Sequence, residues 1–125
     1  MMNPERRVKP RLRPNQITYV AVRPDFHKLG RLLDISSDGL GFQYISNDDP
    51  VEDTTFLDID LFMNQNRFYL QKISCKMIFD TPVDAGILSS KCLMLRRCGL
   101  QFQKLTKSER VLLTHFFKDH NKTLD

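Results

Sequence analysis

The chain has 125 residues, of which 41% are hydrophobic and 27% charged, the size and balance of one globular domain able to bury its own core. Its formal net charge of +4 favours anionic partners: a nucleotide, a nucleic acid or a membrane surface. No apolar run approaches the roughly 20 residues that span a bilayer, and the basic start leads into no hydrophobic stretch, which excludes a secretory signal and points to a cytoplasmic protein.

Residues 1–15 are polar and basic, with Arg6, Arg7, Lys9, Arg11 and Arg13 interrupted by Pro4, Pro10 and Pro14. Proline removes backbone donors and disfavours helix in the residue before it, so this stretch reads as a flexible, irregular arm. Residues 17–22 are rich in β-branched and aromatic side chains and predict a first strand. A second follows at 29–35 and a third at 40–45, with Ser36-Ser37-Asp38-Gly39 as the tight connection between them. Residues 46–53 form an acidic loop without the spacing of a calcium site. In 54–62, Leu57, Ile59 and Leu61 alternate with Asp58 and Asp60, which predicts a half-buried strand with both carboxylates facing water.

Residues 67–80 alternate through Tyr69, Gln71, Ile73, Cys75, Met77 and Phe79 as a long strand. Pro82, Gly86 and two serines make 81–91 a loop, and 92–103 returns to strand with Cys98, Leu100 and Phe102 on one face. Thr106-x-x-Glu109 is a capping box that starts a helix, whose apolar stripe is Leu112, Leu113, Phe116 and Phe117. Cys75, Cys92 and Cys98 are odd in number and lie in apolar stretches, as buried free thiols of a reducing compartment do. Six short strands and a closing helix favour a small antiparallel barrel, because closure removes exposed edges. The arm is 1–15, the barrel with its helix 16–120, and 121–125 a tail.

No catalytic constellation is visible. His115 and His120 are five apart on the helix and face different ways, His27 stands near a turn, and no Cys/His cluster has metal spacing. Neither an enzyme nor a bound metal or cofactor is expected. Two short signatures carry chemistry instead: Arg7-x-x-x-Arg11 in the arm and Asp34-x-Ser36-x-x-Gly39 at the hairpin. Guanidinium forks bond phosphate oxygens and the O6/N7 edge of guanine. A carboxylate such as Asp34 accepts from the N1 and N2 donors of guanine's other edge, and the Ser36 hydroxyl donates or accepts. Gly39, without a Cβ, permits either a positive φ or a close approach of a ligand. Together these groups suit a guanine dinucleotide.

The two signatures, in this order and followed by these strands, resemble the PilZ domain, a bacterial receptor for the second messenger cyclic di-GMP. The likeness extends from about Arg6 to about His120, and Gly99-x-x-Phe102 is similar to the family's closing strand. The resemblance implies a six-stranded antiparallel β-barrel followed by a helix. It implies ligand contacts from Arg7, Arg11, Asp34, Ser36 and Gly39, and an arm that orders over the ligand. An Arg at position 6 resembles members that capture two intercalated ligand molecules. Output then passes to a separate partner protein, in processes such as motility or exopolysaccharide production. A single-stranded nucleic-acid-binding barrel and a PilZ-fold interaction scaffold are the alternatives. The first fits less well, because positive charge is concentrated in one arm and Arg67-Phe68-Tyr69 is the nearest approach to a stacking platform.

Overall fold

The computed structural model describes residues 12–14, 17–23, 28–46, 55–63, 69–87 and 94–123. Arg6, Arg7, Arg11, His27, the acidic loop after Ser46, Arg67, Phe68 and Cys92 lie outside them. The elements in chain order are β1 (Leu12–Pro14), β2 (Tyr19–Val22), β3 (Leu29–Ile35), β4 (Gly39–Ser46), β5 (Phe56–Phe62), β6 (Tyr69–Ile87), β7 (Met94–Phe102), α1 (Lys107–His120) and β8 (Asn121–Thr123). The strands run β2–β5–β6–β7–β4–β3, and a further β2–β3 pairing closes this ring of six antiparallel strands into the expected barrel. β1 attaches to the end of β3, where Leu12 is registered with Ile35, and β8 pairs with β1.

Alternation fills the barrel. On β4, Leu40, Phe42 and Tyr44 point inward while Gln43 and Ile45 face out; on β7, Cys98 and Leu100 point inward and Arg97 faces out. Val20, Ile59, Leu61, Ile73 and Cys75 complete the wall, and Leu113 and Phe116 of α1 join the same core. Complete burial of a side chain such as Phe42 contributes about 1.5–3 kcal/mol. The capping box forms as expected: Thr106 N donates to Glu109 Oε1 at 2.9 Å, and Glu109 N donates to Thr106 Oγ1 at 3.1 Å. The helix stripe is narrower than expected, since Leu112 is exposed beside Val111.

Among the described residues, three single-residue β-bulges interrupt the alternation. Each inserts one residue and turns every later side chain to the opposite face. Leu33 is the extra residue on β3, because Leu32 is registered with Phe42 but Asp34 with Gly41. On β6, Ile73 is registered with Ile59 and Leu70 with Leu61, so one extra residue lies between; Lys72 there takes φ 52°, the left-handed region. Ile78 is the third, between Met77 opposite Leu100 and Phe79 opposite Gly99. The expected common face of β6 therefore holds only for Ile73, Cys75 and Met77, whereas Gln71 and Phe79 are exposed.

Two further expectations are corrected. β6 continues to Ile87, through the stretch expected to be a loop, because Thr81 and Pro82 stay registered with Arg97 and Arg96 of β7. Pro82 has no N–H to lose and sits beside a break in register, where a strand tolerates proline. Asp60 does not face water but is 2% exposed. Its carboxylate accepts from Arg23 Nε at 2.9 Å and from the Lys72 amide at the bulge at 3.0 Å. Burial alone would push the Asp60 carboxyl up; Arg23 and the Lys72 N–H outweigh it and hold it below the usual carboxylate range.

Candidate functional site

The second signature occupies the β3–β4 connection, and the Leu33 bulge decides what it presents. Leu32 and Ile35, three apart, both enter the core, which places Asp34 on the outer face between them. Without the extra residue Asp34 would follow Leu32 inward. The turn is then built from short polar bonds. Ser36 N donates to Gly39 O at 2.8 Å, and Ser36 Oγ accepts from Asp38 N at 3.2 Å. Phe102 N donates to Asp38 O at 2.8 Å, tying the turn to the end of β7.

Gly39 needs no positive φ, since no described glycine has one. Its reason is proximity. A Cβ there would overlap the Leu100 carbonyl oxygen and lie 3.0 Å from Gln101 Cα. Of the two roles open to this glycine, close approach holds, and the backbone it admits is that of β7. Asp34 and Ser36 are 6% and 3% exposed, so the hairpin does not present them on an open rim.

Outside the signature, Arg97 of β7 joins the site, its Nη2 standing 3.4 Å from Asp34 Oδ2. No sequence motif marks this contact. The signal was there in the alternation: with Cys98 and Leu100 facing the core, Arg97 must face out. What was missing was that β7 and β3 flank β4, which places Arg97 and Asp34 on the same outer wall. Between them the wall is bare backbone, because Asp34 is registered with Gly41 and Gly41 with Gly99. The ring of Phe79 packs over Gly99 at the far side of this strip.

The neighbouring Arg96 points into the barrel, where it belongs to a second ionic group. Asp80 there accepts from Arg96 Nε at 2.9 Å, Tyr44 Oη at 2.6 Å and Lys28 Nζ at 3.3 Å. Burial would raise the Asp80 carboxyl, but the bonds from Tyr44 and Arg96 and the charge of Lys28 hold it below its ordinary range. Burial likewise pushes the Cys75 and Cys98 thiols up to about 12, which leaves both protonated and inert at neutral pH. Among the described residues no three His, Cys, Asp or Glu side chains converge as metal ligands. No helix among them is long and apolar enough to cross a membrane. A small groove of about 130 Å³ lies beside the turn, lined in part by Asp38, Gln101, Lys104 and Arg110. Ligand pockets for drug-sized molecules run to about 300 Å³ and more, a size this groove does not reach.

No family model matches the chain, and no curated protein matches it either. Solved structures do. The chain is similar to the PilZ domain with c-di-GMP of YcgR from Escherichia coli, with 18% identity, a TM-score of 0.63 and 91% of each chain covered. It is similar to YcgR in complex with c-di-GMP from the same organism (20% identity, TM-score 0.61, 91% of this chain and 46% of that one). A third likeness is to the Bacillus subtilis inhibitor of motility, MotI/DgrA, at 14% identity and TM-score 0.63, over 94% of this chain and 53% of the other. The chain thus spans about half the length of the second and third structures. The barrel with its following helix is a PilZ-like fold.

Proposed function

We propose that the protein is a cyclic di-GMP receptor, in which Arg7 and Arg11 grip the ligand against Asp34, Ser36 and the Gly39 turn. One observation carries the reading. Leu12, the residue after Arg11, is registered with Ile35, which stands between Asp34 and Ser36. Antiparallel partners lie about 4.5–5.5 Å apart between Cα atoms, and the next residue along the chain is about 3.8 Å further. The strand that directly follows the first signature is thereby paired with the strand that carries the second, which supports reading the two, more than 20 positions apart in sequence, as parts of one site. The c-di-GMP held by two of the similar structures supports the choice of ligand.

Ligand binding then orders the arm across the barrel wall, and the altered surface is what a separate partner protein recognises, an order–disorder switch. Arg6 supplies a further guanidinium for a second, stacked ligand molecule, offsetting repulsion between two dianions. Calorimetric titration with cyclic di-GMP, run beside a single-stranded oligonucleotide, tests the reading. Arg7→Ala and Arg11→Ala should each weaken binding by about 10- to 150-fold, the value of a hydrogen bond to a charged group. Asp34→Ala and Ser36→Ala should weaken it as well, and Arg6→Ala should reduce two bound molecules to one. Wild-type protein that binds the oligonucleotide but not cyclic di-GMP would refute the proposal.

A further inference from the structure

We propose that Arg97 is an additional phosphate-binding residue of this site, held in the unliganded protein by Asp34 and shared with the ligand on binding. The inference rests on the cyclic di-GMP reading. Its geometric basis is the character of the Arg97–Asp34 contact. The contact uses Nη2 alone at 3.4 Å, while the Arg97 side chain is 48% exposed. Contacts of this kind, half in water and engaged through one nitrogen, hold little energy. A guanidinium carries five N–H donors, so Arg97 has capacity for a second acceptor without leaving the first.

The surroundings favour an anion with planar bases. Arg97 rises from β7 two residues before Gly99, on the same face as Gly99 and Gly41, so bare backbone separates it from Asp34. Its cross-strand neighbour on β4 is Gln43, whose neighbour on β3 is Arg31, giving a row of two cations and an amide along the strip. A dinucleotide with two phosphates is repelled by the Asp34 carboxylate, and a cation on the wall beside that carboxylate offsets the repulsion. Arg97 is such a cation. Unlike arginines that must be ordered with an arm, a strand residue bonds phosphate with little loss of backbone freedom.

Calorimetry with cyclic di-GMP on the full chain decides it, using wild type, Arg97→Ala, Asp34→Ala and the double variant. Arg97→Ala should weaken binding by about 10- to 100-fold, keep the wild-type melting temperature within a few degrees, and leave binding less sensitive to salt. Arg97→Lys should recover part of the loss, as charge without the fork. The loss on removing Arg97 should persist in the Asp34→Ala background. If it vanishes there, Arg97 acts only by positioning Asp34 and the proposal fails. It also fails if Arg97→Ala binds as wild type does while Arg7→Ala still loses affinity. Absence of binding in wild type instead removes the receptor reading on which it rests.

Discussion

Gly39→Ala separates the structural from the ligand-contact role of the second signature, and the structure sets its size. An added methyl would overlap the Leu100 carbonyl oxygen and press on Leu100 C at 3.1 Å and Gln101 Cα at 3.0 Å, all of them backbone of β7. The β7 backbone is paired with β6 on its other side and cannot swing aside, so the start of β4 must move away from it. Overpacking of this kind costs about 1–3 kcal/mol. Opposing it is the lower unfolded-state entropy of alanine, about 0.4–1 kcal/mol, which acts in full because the φ of Gly39 suits any residue. The clash wins, by about 2 kcal/mol at its upper end. Gly99→Ala is the control: there the new methyl meets the ring of Phe79, at 2.8 Å from two of its carbons. That ring is 41% exposed and can swing outward, so the two contributions should nearly cancel. Thermal unfolding followed by far-ultraviolet circular dichroism should show Gly39→Ala melting about 5–10 °C below wild type, with Gly99→Ala within a few degrees of it. Equal losses at both positions, or none at Gly39, would refute the distinction between backbone and side-chain obstruction.

Asp80→Ala removes the carboxylate shared by Lys28, Arg96 and Tyr44 and leaves two buried cations facing each other; urea unfolding should show a loss of about 3–5 kcal/mol. Stability should also fall at both ends of the pH scale. Asp60 and Asp80 titrate lower in the folded protein than in the unfolded chain, so their contribution is complete above about pH 5 and is lost as the pH falls through the folded values. The buried thiols titrate higher, up to about 12, so what they contribute is present below the ordinary thiol range and declines as the pH rises toward about 12. A melting temperature constant from pH 7 to pH 2.5 would contradict the first limb, and one constant from pH 8 to pH 11.5 the second.

Much of the barrel was legible because half-buried strands must alternate, and β3 and the capping box of α1 stand where the pattern puts them. What escaped were decisions taken between strands. A bulge adds one residue and reverses the face of all that follow, so alternation read across Lys72 or Ile78 assigns Gln71 and Phe79 to the wrong side. Asp60 was misread for a related reason: its charge is neutralised by Arg23, 37 positions earlier, and by a backbone amide exposed only once β6 bulges. At the candidate site the Ser36–Gly39 turn was legible and the Arg97–Asp34 ion pair was not, because only the order β7–β4–β3 sets the two side by side. Gly39 was recognised, but its obstruction is a carbonyl 61 positions later.

The ladder between β1 and β8 gives the fold a mechanical property. Arg13 is registered with Lys122 and Pro14 with Asn121, and β8 begins at the residue after α1 ends. Pro14 contributes only a carbonyl, so this three-residue ladder is a weak clasp, easily opened and re-formed. β1 is held on both sides, by β3 at Leu12 and by β8 along its length, so it links the chain just after the helix to the barrel wall. A bulky group fused after Thr123 would therefore load this short ladder before it loads the barrel.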